Sequence, residues 1–344
     1  MFNTYNKICL NLKLNLQSIF IIFEMSKENF YDIIRMGDLR VSILENSLFS
    51  LGTSPYYAHK HALAVDIYQN ISLENYKAVS PIEGKVFQIK ELKAPKPKFK
   101  NGIDKEYLIL IKNKNHPDRI FKTLHINPTV KVGEHIEIGD ILGTTIRNGY
   151  FAYWSSPHLH LEIRTKKDAI RARGGEPFDL MIIKDQTQIK KNNSLKNDKR
   201  KRIPIKIHKM IPEFILGYLS QDSYYKIPPF YGVRGTIGDM ICLIDGGIPL
   251  YRNGIAIFKK TNNILNSNLL CLGSSKIGRI NRIRGRFGFF DCNFVRLLLN
   301  NIPIRGISLF LANFLPVIKI IPMKRNQFSF EEKTIQYLSI ESKL

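Results

Sequence analysis

Cysteine is scarce in this chain of 344 residues: four in all, Cys9, Cys242, Cys271 and Cys292. They are too scattered for a C-x-x-C metal pair and too few for a disulfide framework, which excludes a small stapled scaffold. Reduced thiols serving as small buried apolar groups favour a cytosolic setting slightly, although the sequence leaves the compartment undetermined. Long apolar runs are lacking too. Ile19-Phe20-Ile21-Ile22-Phe23 falls short of the roughly 20 residues that cross a bilayer, and no small-residue cleavage site accompanies it. Neither a transmembrane span nor a signal peptide is expected. Acidic residues are in deficit, 29 Asp+Glu against 52 Lys+Arg, for a formal charge of +23. Such a charge steers polyanions toward the basic surface, but no recognised nucleic-acid motif gives that attraction specificity.

What is present is an ordinary globular composition, 44% hydrophobic and 24% charged, at a length that suggests two domains. Residues 1–39 read as an N-terminal extension, disordered or a start-site artefact. Residues 40–183 read as many short strands bounded by Gly, Pro and Asn, for example Gly84–Ile89 and Tyr107–Ile111. Residues 184–211 carry Lys190-Lys191 and Lys199-Arg200-Lys201-Arg202 with little to bury, and are assigned to a basic linker available for polyanion contact. Residues 212–323 form a second β-rich domain of unknown type, in which Arg279, Arg282, Arg284 and Arg286 are read as a wet surface. Residues 324–344 are a C-terminal tail. The fold class is therefore all-β.

Histidine is distributed unevenly. Seven of eight, His59, His61, His116, His125, His135, His158 and His160, lie in the first domain, and the second has none. Histidine is the commonest metal ligand and the readiest proton carrier near neutral pH. In Pro157-His158-Leu159-His160-Leu161-Glu162-Ile163-Arg164 the alternation of a strand puts His158, His160, Glu162 and Arg164 on one face and the apolar residues on the other. Glu162 is then either a partner that orients a ligand imidazole or a surface carboxylate. His61-Ala62-Leu63-Ala64-Val65-Asp66 pairs an imidazole with a carboxylate, and two imidazoles with one carboxylate leave a metal one open position. Leu124-His125-Ile126 is followed by Val130–Gly143, read as two tight strands joined by a glycine turn. His116 and His135 are read as structural.

In their order these pieces, with Ala78-Val79-Ser80-Pro81 and Gly84-Lys85-Val86 between them, resemble the lysostaphin-type zinc metallopeptidases over roughly Ser54–Leu180. The resemblance implies a β-sandwich of the duplicated hybrid motif kind. It implies one Zn2+ bound by His61, Asp66 and His160, with His125 and His158 as the catalytic pair, and hydrolysis of a peptide or cell-wall-type cross-link. The motif departs from the family's in having four residues and no glycine between His61 and Asp66. An i, i+5 pair faces opposite sides of a strand, so His61 would sit in a loop or beside a bulge, and His59 is the alternative ligand. Two other readings are carried. One is a non-catalytic regulatory zinc module. The other is a histidine phosphocarrier-like domain, since the Val130–Gly143 segment resembles such carriers; that reading leaves Asp66 without a task.

Overall fold

A computed structural model of the chain describes residues 29–113, 115–183, 201–260 and 268–344. It is all-β: among these residues helix is confined to one turn at Tyr57–Lys60 and a 3-10 turn at Gln221–Ser223. No helix among them is long and apolar enough to cross a membrane. The apolar run at Ile19–Phe23, Cys9 and most of the basic linker, 184–200, lie outside the described residues.

The first half is organised by an antiparallel sheet of seven strands, in the spatial order His135–Ile136, Gly84–Lys93, Lys105–Lys112, Arg119–Leu124, Leu159–Thr165, Ala64–Tyr68 and Leu48–Ser50. The strand Leu159–Thr165 lies near its middle, buried on both sides. Leu159, Leu161 and Ile163 pack into the main core, while His160, Glu162 and Arg164 point the other way and are buried too. Register then does the decisive work, because directly opposed residues of an antiparallel pair point to the same face. His160 lies opposite Asp66 on one neighbour and opposite Leu124 on the other, so the carboxylate is delivered beside the imidazole and His125 begins at the edge of the same spot.

The glycine-rich stretch Val130–Gly143 departs from the hairpin the sequence suggests. Its strands His135–Ile136 and Ile141–Thr145 pair with different partners, the first with Gly84–Lys93 and the second with Lys77–Val79 and Ile126–Pro128. Gly143, at φ +154°, lies where an added Cβ would meet the Asn127 carbonyl at 2.1 Å. That close backbone approach selects Ile126–Pro128, and not the preceding strand, as its neighbour.

The second half is a sheet of thirteen strands that closes on itself twice. Phe230–Ile237 pairs with both Met240–Ile248 and Leu269–Leu272, and Ile302–Leu309 pairs with both Val295–Leu299 and Val317–Pro322. The closures give two rings of six strands that share the contact between Met240–Ile248 and Ile302–Leu309. Three boundaries drawn from the sequence shift here. Arg202–Ile211, assigned to the linker for its charge, is a strand in which Ile203, Ile205 and Ile207 are buried. Ile335–Ser342, assigned to the tail, pairs between Arg202–Ile211 and Val295–Leu299. Phe30–Met36, assigned to the extension, pairs with Asp179–Leu180. Of the three only Arg202–Ile211 carries an apolar alternation, Ile203, Ile205 and Ile207, and there the charges outweighed it.

Tyr31–Leu344 make up one compact unit, and its largest core draws on both halves. Phe49, Val65, Ile67 and Leu161 share it with Phe230, Leu243, Ile255 and Leu311. Cys242 and Cys292 are free and fully buried, as small apolar groups, while Cys271 is half-buried.

Candidate metal centre

His59, Asp66 and His160 converge: one ligand atom from each lies within 4.8 Å of the others, and all three residues are buried. His160 Nδ1 is 2.9 Å from Asp66 Oδ1 and 3.1 Å from His59 Nε2. His59 Nε2 is 3.2 Å from the same carboxylate oxygen, and His158 Nε2 is 3.5 Å from it.

The outer edges of these rings determine what the inner edges can offer. His59 Nδ1 meets the Leu51 carbonyl at 2.8 Å and His158 Nδ1 meets the Ser156 carbonyl at 2.9 Å. A carbonyl only accepts, so both Nδ1 atoms carry the hydrogen and both Nε2 atoms turn lone pairs inward. His160 Nε2 donates to Glu162 Oε1 at 3.0 Å, leaving its Nδ1 to face the cluster. The lone pairs of His59 and His158, the Nδ1 of His160 and a carboxylate oxygen therefore meet around one point. Such a set is stable only around positive charge, either a cation or a proton. The protonation tendencies say the same. Burial works against charge on His160, but the Asp66 and Glu162 carboxylates outweigh it and raise the imidazole to about 9. Burial alone would raise Asp66; His158, His59 and His160 hold it well below the usual carboxylate range. The donor set fits a divalent metal ion.

His61 is not in this group. Tyr57–Lys60 makes a single helical turn, and Ala62 at φ +48° reverses the chain behind it. His59 thereby points inward from the helix, while His61 packs on Tyr57 and lies 3.2 Å from Arg282 Nη2. The strand parity considered for His61 does not govern His59, which sits on a helical turn. The turn has no side-chain cap at its start, and its exposed C-terminal carbonyls are met from the second half. Arg282 donates to the Lys60 carbonyl at 3.0 Å, and Arg284 to those of His61 and Ala62 at 2.8 and 2.9 Å. Two of the arginines read as wet surface thus clamp the ligand loop, in the manner of basic groups at a helix C-terminus.

His125 and His158 both border the centre, their rings 5.1 Å apart. His125 follows Leu124 with φ +68°. Glu106, buried and absent from the sequence reading, explains that conformation: one carboxylate oxygen accepts the His125 backbone N–H at 2.8 Å and the other meets Nδ1 at 2.6 Å. Asn148 Nδ2 adds a third bond at 2.8 Å. Burial would raise Glu106, yet the neighbouring His125 and these donors bring it down to about 2. His158 moves the other way. Burial lowers it to about 4, against the pull of Asp66.

Glu162 is buried and hydrogen-bonded to the His160 imidazole, not a surface carboxylate. Burial opposes its charge, but His160, Lys122 and Arg164 hold it down to about 2. Lys122 Nζ reaches it at 3.1 Å, and the fully buried Arg164 binds its other oxygen. From the second half, Asp245 accepts the Ser50 hydroxyl at 2.6 Å and the backbone N–H groups of Leu51 and Gly52 at 2.6 and 3.0 Å. It thereby fixes the turn whose Leu51 carbonyl orients His59. No local signal marks Asp245 or Glu106 in the sequence, since each acts across the fold. His135 is exposed on its short strand, and His116 lies in a turn away from this centre. The whole group opens on a cleft of about 630 Å³ whose wall includes Tyr56, Tyr150 and Phe151 from the first half and Tyr251, Phe310 and Lys319 from the second.

Residues 39–180 match the family model described as Domain of unknown function (DUF8155) N-terminal domain. A search of curated proteins gives no match. Among solved structures the chain is similar to the NMR solution structure of lysostaphin, at 16% identity and a TM-score of 0.24, over 55% of this chain and 83% of that one. It is similar also to the antimicrobial peptidase lysostaphin from Staphylococcus simulans, at 16% identity and a TM-score of 0.23 over the same shares. The chemistry of this chain is therefore taken from the geometry of its own site.

Proposed function

We propose that the protein is a zinc-dependent peptide hydrolase whose metal is held by His59, Asp66 and His160. The observation that carries this reading is the convergence of three inward-facing ring nitrogens on one buried carboxylate oxygen. Two imidazoles and a carboxylate suit zinc and leave it an open position. A zinc ion so held supplies Lewis acidity, polarising a peptide carbonyl and making water acidic enough to attack near neutral pH.

The chain's own residues divide the proton transfers. His158, kept neutral by burial and with its Nδ1 hydrogen given to Ser156, presents a lone pair beside Asp66 and is suited to take a proton from the attacking water. His125 is anchored at Nδ1 by the anionic Glu106, which fixes its ring beside the centre and suits it to act on the leaving amine or the developing oxyanion. Glu162 and the Leu51 carbonyl hold the two ligand rings in the correct tautomer. The carrier alternative draws no comparable support, because His158 and His160 are turned in on Asp66 and not presented outward.

The test is metal content by elemental mass spectrometry, after purification without added metal. The parent should carry about one zinc per chain and His61→Ala should match it, whereas His59→Ala and His160→Ala should fall roughly a hundredfold in affinity and come out empty. Equal zinc in the parent and in His160→Ala would sink the proposal. Zinc lost from His61→Ala and kept in His59→Ala would return His61 to the ligand set. Cleavage of glycine-containing peptides, abolished by a chelator and restored by zinc, tests the activity itself.

A further inference from the structure

Lys319 sits in the strand Val317–Pro322, every residue of which is buried. Its own exposure is 3%, yet it lines the cleft beside His158, Tyr68 and Phe310. Its Nζ lies 2.9 Å from Ser156 Oγ and 3.9 Å from the centre of the Phe214 ring. Among the described residues it has no ion-pair partner, and the charged group acting on it, Arg147, is of like sign. A buried ammonium without a counter-ion is costly, and an apolar residue of the same length would be the more stable choice. The hydroxyl of Ser156 satisfies one N–H and the aromatic face contributes a little; no other partner for the amine is found among the described residues, in a side chain that lines the cleft.

Position adds to this. Ser156 accepts from both sides, its hydroxyl from Lys319 and its carbonyl from His158 Nδ1. Lys319 is thus one residue away from the group assigned to take the water's proton. Arg147, whose guanidinium donates to the Tyr153 carbonyl at 2.9 Å, adds a second positive charge beneath the same loop.

We propose that Lys319 is the receptor for a carboxylate of the peptide bound in the cleft, which makes the preferred substrate one with a free carboxylate close to the bond to be cut. As a statement about substrate this rests on the hydrolase reading, whereas the binding site itself does not need the metal. Burial, with Arg147, pushes the Lys319 amine well below the usual lysine range. Arrival of the carboxylate supplies the missing counter-ion and favours the ammonium form of the amine, so that binding and proton uptake are linked.

Isothermal titration of the full chain with three probes tests this: N-acetyl-triglycine, its C-terminal amide, and an N-acetylated, C-amidated Gly-Glu-Gly. Repeating the titrations in buffers of different ionisation enthalpy counts the protons taken up, and carrying them out in His160→Ala as well as in the parent removes any contribution of the metal. A carboxylate probe should bind at least about tenfold more tightly than the amide, with a net uptake of protons on binding, in both backgrounds. Lys319→Met should lose both the preference and the uptake, with amide binding unchanged. Lys319→Arg, always charged, should keep the preference and take up no proton, and it remains informative should the Met variant fold poorly. Preference for the first probe assigns a C-terminal carboxylate, and preference for the third an acidic side chain. Equal binding of all three probes, no binding at all, or a preference that survives in Lys319→Met would each overturn the inference. Empty metal sites in the parent together with an intact carboxylate preference would instead count against the hydrolase reading.

Discussion

The two halves of the molecule contribute to the cleft in different ways. Residues 31–183 supply every histidine and carboxylate at the candidate metal centre. The described residues of 201–344 supply none of the candidate ligands, yet they fix where those side chains point. Asp245 ties down the turn that orients His59, Arg282 and Arg284 hold the carbonyls behind it, and Lys319 supports Ser156 under His158. Donor chemistry can be carried by a short stretch of strand. Aiming donors to within a fraction of an ångström needs supports that approach from elsewhere in the fold.

The sharpest way to break this contrast is Asp245→Ala. It leaves the Ser50 hydroxyl and two backbone N–H groups buried without an acceptor, which should cost about 3–5 kcal/mol of stability in urea unfolding and weaken zinc in a competition titration. Unchanged zinc affinity in the folded variant would show that the second half merely packs against the site. Next in size is acid lability within the first half. Glu106 and Glu162 are each held down to about 2 from an ordinary value of 4.5. A depressed carboxylate stabilises the fold above its unfolded pKa and loses that contribution as pH falls through the folded one. Stability should therefore drop by up to about 3 kcal/mol per group between pH 4.5 and 2. Glu106→Gln should flatten part of that slope in unfolding curves taken at stepped pH, and an unaltered slope would exclude Glu106 from the effect. Glu162→Gln should weaken zinc about 10- to 100-fold by loosening His160 without removing a ligand, an effect that equilibrium dialysis resolves. Smallest is Arg284→Ala. Its half-buried hydrogen bonds to a helix end are worth about 1 kcal/mol, with a loss of zinc affinity of a fewfold at most. A loss as large as that of Asp245→Ala would shift the principal support of His59 to the arginine clamp.

Much of this centre was legible in the residues themselves. The H-L-H-L-E-I-R alternation puts His160 and Glu162 on one face, because strand parity needs only local backbone geometry. The clustering of histidines in the first half, and the all-β class, follow from composition and turn residues in the same way. The choice between His59 and His61 was left open, since it turns on the positive φ of Ala62 and on arginines more than two hundred positions away. The strand Arg202–Ile211 was hidden by its charges, although Ile203, Ile205 and Ile207 alternate along it.

By itself, then, the sequence determined which side chains carry donor chemistry and which of them share a strand face, for both are properties of a residue and its immediate neighbours. Tertiary structure alone decided that Asp66 lies against His160 across 94 positions, that Glu106 grips His125, and that Asp245 reaches Ser50 across 195. The reason is that strand register and the burial of charge are settled only when distant segments pack, and no local pattern encodes which carbonyl or carboxylate will then stand behind a given imidazole.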